Sequence, residues 1–258
     1  MKYLAILLAG LVLTGCASTP VGNPDPRDPW EKFNRKSFAF NDALDRAIAK
    51  PVAKGYVKVT PKFVRTGVSN FFSNLDTITT VFNDVLQGKM RQAGNDSGRF
   101  LLNTTLGFGG LFDPASAAGL DRNDEDFGQT LGKWGVKSGP YLMLPILGPS
   151  TVRDAFGRIP DQFTYPPNYL KDSTSQYVIR AVSFVDLRAS LLDLEKQMNE
   201  SPDRYAFVRN AWLQNREFKV TDGGGENLED EALKDEALND DSSKDDGAPA
   251  ADAPAPNQ

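Results

Sequence analysis

Residues able to carry covalent or acid–base chemistry are few in this 258-residue chain. There is no histidine, which removes the Ser-His-Asp and Cys-His arrangements, the metalloprotease helix motif and nearly every zinc site. The single cysteine, Cys16, cannot form an internal disulfide. Asp154 and Asp161 could act as an acid–base pair only if the fold set them at a working distance. Asp121, Asp124, Glu125 and Asp126 gather carboxylates without calcium-loop spacing, which suits a solvated turn or a run of helix caps better than a metal site. The stretch Gly107, Phe108, Gly109, Gly110 lacks both the spacing and the preceding strand of a dinucleotide loop, and no Gly-Lys-Ser/Thr exists to cradle phosphate. The expectation is a protein with no catalytic residues, cofactor or metal.

Charge is unevenly placed. From Asp222 onward there are 12 acidic and 2 basic residues, so the remainder, with 27 basic and 22 acidic, stands at +5 within a total of −5. The body is therefore mildly basic, suited to anionic surfaces such as phospholipid headgroups or simply to water. Arg91, and Arg99 beside Phe100, could suggest nucleic acid, but an exported chain rarely meets any.

The position of Cys16 gives it a job. Lys2 precedes an apolar run from Tyr3 to Leu13, too short for a spanning helix, and Leu13-Thr14-Gly15-Cys16 resembles the bacterial lipobox, in which the cysteine is acylated. Residues 1–15 read as a signal peptide and 16–27 as a proline-bearing tether from the lipid. Ala17 follows the cysteine instead of the aspartate that marks retention in the inner membrane, which points to the periplasmic face of the outer membrane. Residues 222–258 are acidic, aromatic-free and rich in Ala and Pro, the composition of a disordered tail.

Residues 28–221 read as an all-α body. Asp28 is placed to cap a helix, with Pro29 first and Glu31 as the capping-box carboxylate; Phe33, Phe40, Leu44, Ala47 and Ile48 form its stripe, and Pro51 ends it. Thr60-Pro61 repeats that start ahead of Phe63, Val64, Gly67, Val68, Phe71, Phe72 and Leu75 at helical spacing. A third stretch carries Ile78, Val81, Phe82, Val85 and Leu86 and closes at Gly88, and a fourth runs from about Lys89 to Leu106. Asp113-Pro114 opens a short helix, Ser150 caps another, a long one runs from about Thr174 to Asn199, and Ser201-Pro202 opens the last. No convincing period-two strand interrupts them.

One segment breaks the pattern. Gly128, Gly132, Gly135, Gly139 and Gly148, with Pro140, Pro145 and Pro149, surround the apolar run Tyr141, Leu142, Met143, Leu144, Pro145, Ile146, Leu147. Interior glycines cost about 0.8–1 kcal/mol and prolines about 3, so no long helix forms here. So apolar a run is also no ordinary exposed loop. It is either a bent hairpin that packs into the body or touches lipid, or a buried core crossing.

Read together, several motifs resemble the MlaA (VacJ) family of outer-membrane lipoproteins. They are Asp28-Pro29-x-Glu31-x-Phe33-Asn34-Arg35, Phe38-x-Phe40-Asn41-x-x-Leu44-Asp45, Leu86-Gln87-Gly88 and Arg99-Phe100-x-x-Asn103-Thr104-Thr105, followed by Asp126 to Gly135 and Gly148-Pro149-Ser150-x-x-Arg153-Asp154. The match runs from about Asp28 to Arg216 in the same order. It implies a ring of amphipathic helices around a central channel, lying in the inner leaflet beside a trimeric outer-membrane porin. Through that channel misplaced phospholipid would pass to a soluble periplasmic carrier of the MlaC kind. The Gly/Pro-rich hairpin, above all Gly128, Gly132, Gly135, Gly139, Pro140, Leu142, Met143, Leu144, Pro145 and Gly148, is then the candidate channel element. Lys137, Arg153, Asp154 and Asp161 are the candidates to face a headgroup. A non-transporting scaffold lipoprotein is the alternative.

Overall fold

The computed structural model describes residues 25–223, and apart from one hairpin their regular structure is helical. Helix α1 (Glu31–Leu44) runs through a π turn (Asp45–Ala49) into α2 (Lys50–Val59), and α3 (Lys62–Leu86) folds back on α4 (Met90–Thr105). Short helices α5 (Pro114–Ala117) and α6 (Phe127–Lys133) lead to strands β1 (Tyr141–Leu144) and β2 (Gly148–Thr151). Helix α7 (Val152–Thr164), a 3-10 turn (Pro166–Tyr169), α8 (Ser173–Ser190), α9 (Glu195–Glu200) and α10 (Arg204–Val220) complete the order. Two compact units divide after Leu213. In the second, α10 ends in a turn where the Gly223 N–H donates to Phe218 O at 2.8 Å. Residues 1–24, with the signal segment, Cys16 and most of the tether, and the acidic tail from residue 224 lie outside the described residues.

Several expected boundaries move, each for a local reason. Asp28 caps nothing: α1 begins at Glu31 without a side-chain cap, and Glu31 pairs with Arg35 at 2.7 Å. Asp28 is instead 2% exposed and accepts from Asn34 Nδ2 at 2.7 Å, Arg209 Nη1 at 3.0 Å and the Tyr205 hydroxyl. Nor does Pro51 end the first helical run. The π turn before it, in which Lys50 N–H reaches back to Asp45 O, absorbs the extra residue that proline's missing N–H and bulky ring require. The second and third expected helices are one continuous α3 of 25 residues. It stops where Gly88, at φ +76°, lets Gly88 N–H reach Val85 O at 3.1 Å and Lys89 N–H reach Asp84 O at 2.8 Å, the αL closure of a helix C-terminus. Ser150 is buried in β2, and Thr151 caps α7, its hydroxyl accepting from Asp154 N–H at 3.3 Å. The long helix expected to Asn199 stops at Ser190, and α9 resumes at Glu195.

What these helices bury is unusual. Among the described residues only eight apolar or aromatic side chains are buried, Pro167 included, against eighteen polar or charged ones. Meanwhile Phe63, Phe82, Leu101, Phe108, Phe112, Phe156, Ile159 and Phe163 stand among many large apolar side chains in the open. In water this arrangement forfeits most of the hydrophobic stabilisation available to a soluble bundle, so hydrogen bonding between helices carries an unusual share. No helix among the described residues is long and apolar enough to cross a membrane.

One such polar junction ties α5 to α4. Arg99, 4% exposed, donates to Asp113 at 3.0 and 3.2 Å, to Ser116 Oγ at 3.1 Å and to Leu120 O. Asn103 donates to Asp113 Oδ1 at 2.9 Å and accepts from Ala115 N–H at 3.1 Å. Burial alone would raise the Asp113 carboxyl, but bonds from Ser116, Asn103 and Arg99 outweigh it and hold it at about 2. A carboxylate so depressed contributes stability that is present above its unfolded value, near 3.8, and lost as pH falls toward 2. Asp113→Asn should therefore cost about 2 kcal/mol at neutral pH and flatten the loss of stability between about pH 4 and 2, as measured by denaturant unfolding across that range.

Candidate functional site

The central segment becomes a regular antiparallel hairpin, with Tyr141 opposite Thr151 and Leu144 opposite Gly148. Its residues alternate as a half-buried strand must: Tyr141 and Met143 are 0% and 2% exposed, and Leu142 and Leu144 are intermediate. Tyr141 stacks edge-on against Tyr205 at 6.3 Å and Trp212 at 6.1 Å, with Phe38 5.8 Å from Tyr205, to form the main apolar cluster. Burial, then the negative charge of Asp28, pushes the Tyr141 phenol up, and its oxygen has no hydrogen-bond partner. Tyr205 is raised likewise, by burial and then by its bond to Asp28.

The hairpin is held by side chains standing in for a third strand. Asn34 Nδ2 donates to Tyr141 O at 3.0 Å, while Met143 N–H donates to Asn34 Oδ1 at 2.8 Å. Asn41 repeats the pattern one step along, its Nδ2 donating to Leu144 O at 2.9 Å and its Oδ1 accepting from Ile146 N–H at 2.7 Å. Seven residues of helix rise about 10.5 Å and three of strand span about 10 Å, so two amides on one face of α1 match the edge of β1. The segment before α1 is fixed too, Tyr141 N–H donating to Arg27 O at 2.8 Å. On the opposite side Arg158 of α7 donates to Leu147 O at 3.3 Å and Pro149 O at 3.2 Å.

Between these clamps the tip Pro145, Ile146, Leu147 is exposed, with Ile146 66% and Leu147 63% accessible. Ile146 sits at φ +68°, a left-handed conformation that costs a β-branched residue on the order of 1–3 kcal/mol and persists only where its surroundings impose it. The Asn41 amide supplies that constraint. Gly135, Gly139 and Gly148 also take positive φ, at the end of α6 and at the entrances to the two strands. Gly128 serves close packing: a Cβ on Gly157 of α7 would lie 2.6 Å from Gly128 N, so α6 and α7 touch through backbone. Gly132 is a half-buried residue within α6, and Pro140 a half-buried connector ahead of β1.

The four charged candidates separate. Arg153 and Asp154 are 8% and 5% exposed and bond to each other at 3.0 Å, with Asp154 also accepting from the Thr151 hydroxyl at 2.8 Å. Lys137 is exposed. Asp161 accepts from Asn83 Nδ2 at 3.1 Å and from the first N–H of α6, Phe127, at 3.0 Å, and its partners differ from those of Asp154 two turns away. It lines a 290 Å³ cavity with Asp76, Thr79, Thr80, Asp124, Glu125, Asp126, Gln162, Tyr165 and Arg180. Asp76 is open to that cavity yet surrounded by protein elsewhere; this crowding, then the charge of Asp124, pushes its carboxyl up to about 6. Asn34 and Asn41 had no assigned role in the sequence reading. The signal for them was two helix-disfavouring asparagines seven positions apart inside a helix.

A family model described as "MlaA lipoprotein" matches residues 26–219. This chain belongs to the MlaA lipoprotein family. It is 36% identical over 230 residues to the intermembrane phospholipid transport system lipoprotein MlaA of Escherichia coli K12, covering 87% of this chain and 90% of that one. The MlaA of Haemophilus influenzae is 35% identical over 230 residues, covering 85% and 90%. An uncharacterised Rickettsia prowazekii protein is 41% identical over 195 residues, covering 75% of this chain and 78% of its own. Among solved structures, one described as "Structural basis for maintenance of bacterial outer membrane lipid asymmetry" superposes with a TM-score of 0.68 at 38% identity, over 75% of this chain and 98% of that one.

For this MlaA family member the asparagine pair makes a direct prediction. Asn34→Ala strands a buried carbonyl and N–H and should cost about 2–4 kcal/mol. Asn41→Ala should cost about 1 kcal/mol yet speed hydrogen exchange at the Ile146 amide at least tenfold, since its loss frees the tip alone. Exchange followed by mass spectrometry, alongside denaturant unfolding, separates the two.

Proposed function

We propose that this protein removes phospholipid from the outer leaflet of the outer membrane and passes it to a soluble periplasmic carrier of the MlaC kind, maintaining lipid asymmetry. The relatives named for intermembrane phospholipid transport, similar over most of this chain, support the reading. The observation that carries it is the inverted burial: polar groups face inward, and Phe63, Phe108, Phe112, Phe156 and Phe163, each more than half exposed, face outward. Such a surface is stable against acyl chains, where outward apolar groups are solvated and inward polar groups need one another.

In this reading the helices form a ring around an amphipathic channel, held at the periplasmic face of the outer membrane by an acylated Cys16 and set beside a trimeric porin. The segment from Gly128 to Gly148 controls passage: Leu142 and Leu144 border it, the tip at Pro145 touches lipid, and the positive-φ glycines define its bends. Lys137 and Asp161 contact headgroups, while Arg153 and Asp154 hold the base of α7. Transport needs no chemistry from the protein.

Three measurements test this. Cells deprived of the protein should expose phospholipid to an externally added phospholipase, and the wild-type protein should restore protection; a scaffold that moves no lipid would leave exposure unchanged. In such cells supplied with a variant carrying a photoreactive residue at Leu147, that residue should crosslink phospholipid. Cys16→Ser should abolish incorporation of a fatty-acid probe and mislocalise the protein, and unchanged labelling would reject Cys16 as the anchor.

A further inference from the structure

At the junction of α3, α4 and the segment before α6, three carboxyls are enclosed. Asp84, Asp96 and Glu125 are 0%, 1% and 6% exposed. Glu125 is well served, accepting from Lys89 Nζ at 2.8 Å, Gln87 Nε2 at 2.9 Å and Gln92 Nε2 at 3.3 Å. Asp96 accepts from Asn123 Nδ2 at 2.9 Å. Asp84 differs, because neither of its side-chain oxygens has a donor from any other residue, yet Asp96 lies within hydrogen-bonding reach of it. The charged groups facing Asp84 are Asp96 from α4, Glu125 from the segment before α6, and Lys89 from the turn between α3 and α4. Lys89 is already paired with Glu125.

Two carboxylates in contact and out of reach of water repel unless something positive lies between them. Among the described residues no group of three or more metal-ligating side chains is arranged to hold an ion. A proton needs only the pair itself, and converts two opposed acceptors into one O–H···O⁻ bond. We infer that Asp84 and Asp96 share one proton at neutral pH, and that this proton is a latch joining the end of α3 to α4, whose Asp96 also holds Asn123 in the segment that carries Glu125 on the wall of the acidic cavity. Its loss sets a second buried negative charge beside Glu125 and pulls Lys89 between competing partners, so the turn loosens in alkali.

Burial is the largest cause that raises Asp84, followed by the charge and hydrogen bond of Asp96 and the charge of Glu125, with Lys89 opposing. The folded protein thus keeps a proton that the unfolded chain releases at an ordinary carboxylate value. The contribution of this proton to stability is greatest in acid, falls as pH rises through the interval between those two values, and is gone above it. Asp76 contributes a similar slope only up to about 6, which leaves the interval from about 6 to about 8 to the Asp84–Asp96 pair.

The test is denaturant unfolding of the full-length protein in detergent micelles, wild type against Asp84→Asn, across that interval. Asparagine preserves shape and can donate to Asp96 without titrating. The wild-type folding constant should fall up to tenfold more per pH unit than that of the variant, and the protection factors of the Gly88 and Lys89 amides, taken against intrinsic exchange at each pH, should fall in the wild type alone. Equal slopes overturn the inference. Should Asp84→Asn not fold, infrared spectra of the wild type decide: a carbonyl stretch of a buried protonated carboxyl at neutral pH that disappears in alkali supports the shared proton, and its absence overturns it. Saturable stabilisation by added calcium in place of the pH slope also overturns it.

Discussion

With so few apolar side chains enclosed, the fold depends on hydrogen bonds made out of reach of water. Such bonds are worth little net when both partners could be hydrated, but leaving one unmade inside costs about 1–3 kcal/mol. The interior is therefore organised by satisfaction rather than by volume. Asp28 shows the logic: at 2% exposure it gathers Asn34, Tyr205 and Arg209, from α1 and α10, around one carboxylate. Removing that carboxylate would strand three donors at once.

From the Asp28 hub the constraint passes outward along α1. Asn34 bonds both Asp28 and β1, so the hub and the hairpin share a residue. Asn41 then carries the same α1 face to the tip, where it fixes Ile146 in a conformation the residue would not choose. The result is a rigid strand with a strained apolar tip, joined to the body by side chains rather than by a sheet. An edge bound through two amides is easier to release than one bound by a ladder, which suits an element expected to move.

Much of this was legible in the sequence. The spacing of Phe63, Phe71 and Phe72, the glycine stop at Gly88 and the Asp113-Pro114 start each encode a local event, and each is present. The family resemblance, resting on spaced motifs, also predicted the membership that comparison established. Tertiary competition was not legible. Asp28 has the sequence context of a cap, but buried Arg209 and Asn34 offer more than exposed backbone amides do. Pro51 reads as a stop because a π turn leaves no composition signal. Strands β1 and β2 are four residues each, too short for a period-two pattern to stand out from the glycines and prolines around them. Arg153 and Asp154 looked available for a headgroup because sequence does not reveal which face of α7 packs inward.

If polar groups hold the interior while the outward apolar faces meet lipid, as proposed, the two kinds of surface differ in what reaches them. Spin labels placed singly at Phe63, Phe108 and Ile159, which are 78%, 77% and 57% exposed, and at Thr79 on the cavity wall, test it most directly in reconstituted bilayers. The first three should relax readily with oxygen and poorly with a water-soluble nickel chelate, and Thr79 should show the reverse preference. Free access of the nickel chelate to Phe63, Phe108 and Ile159 would place those side chains in water and contradict the claim.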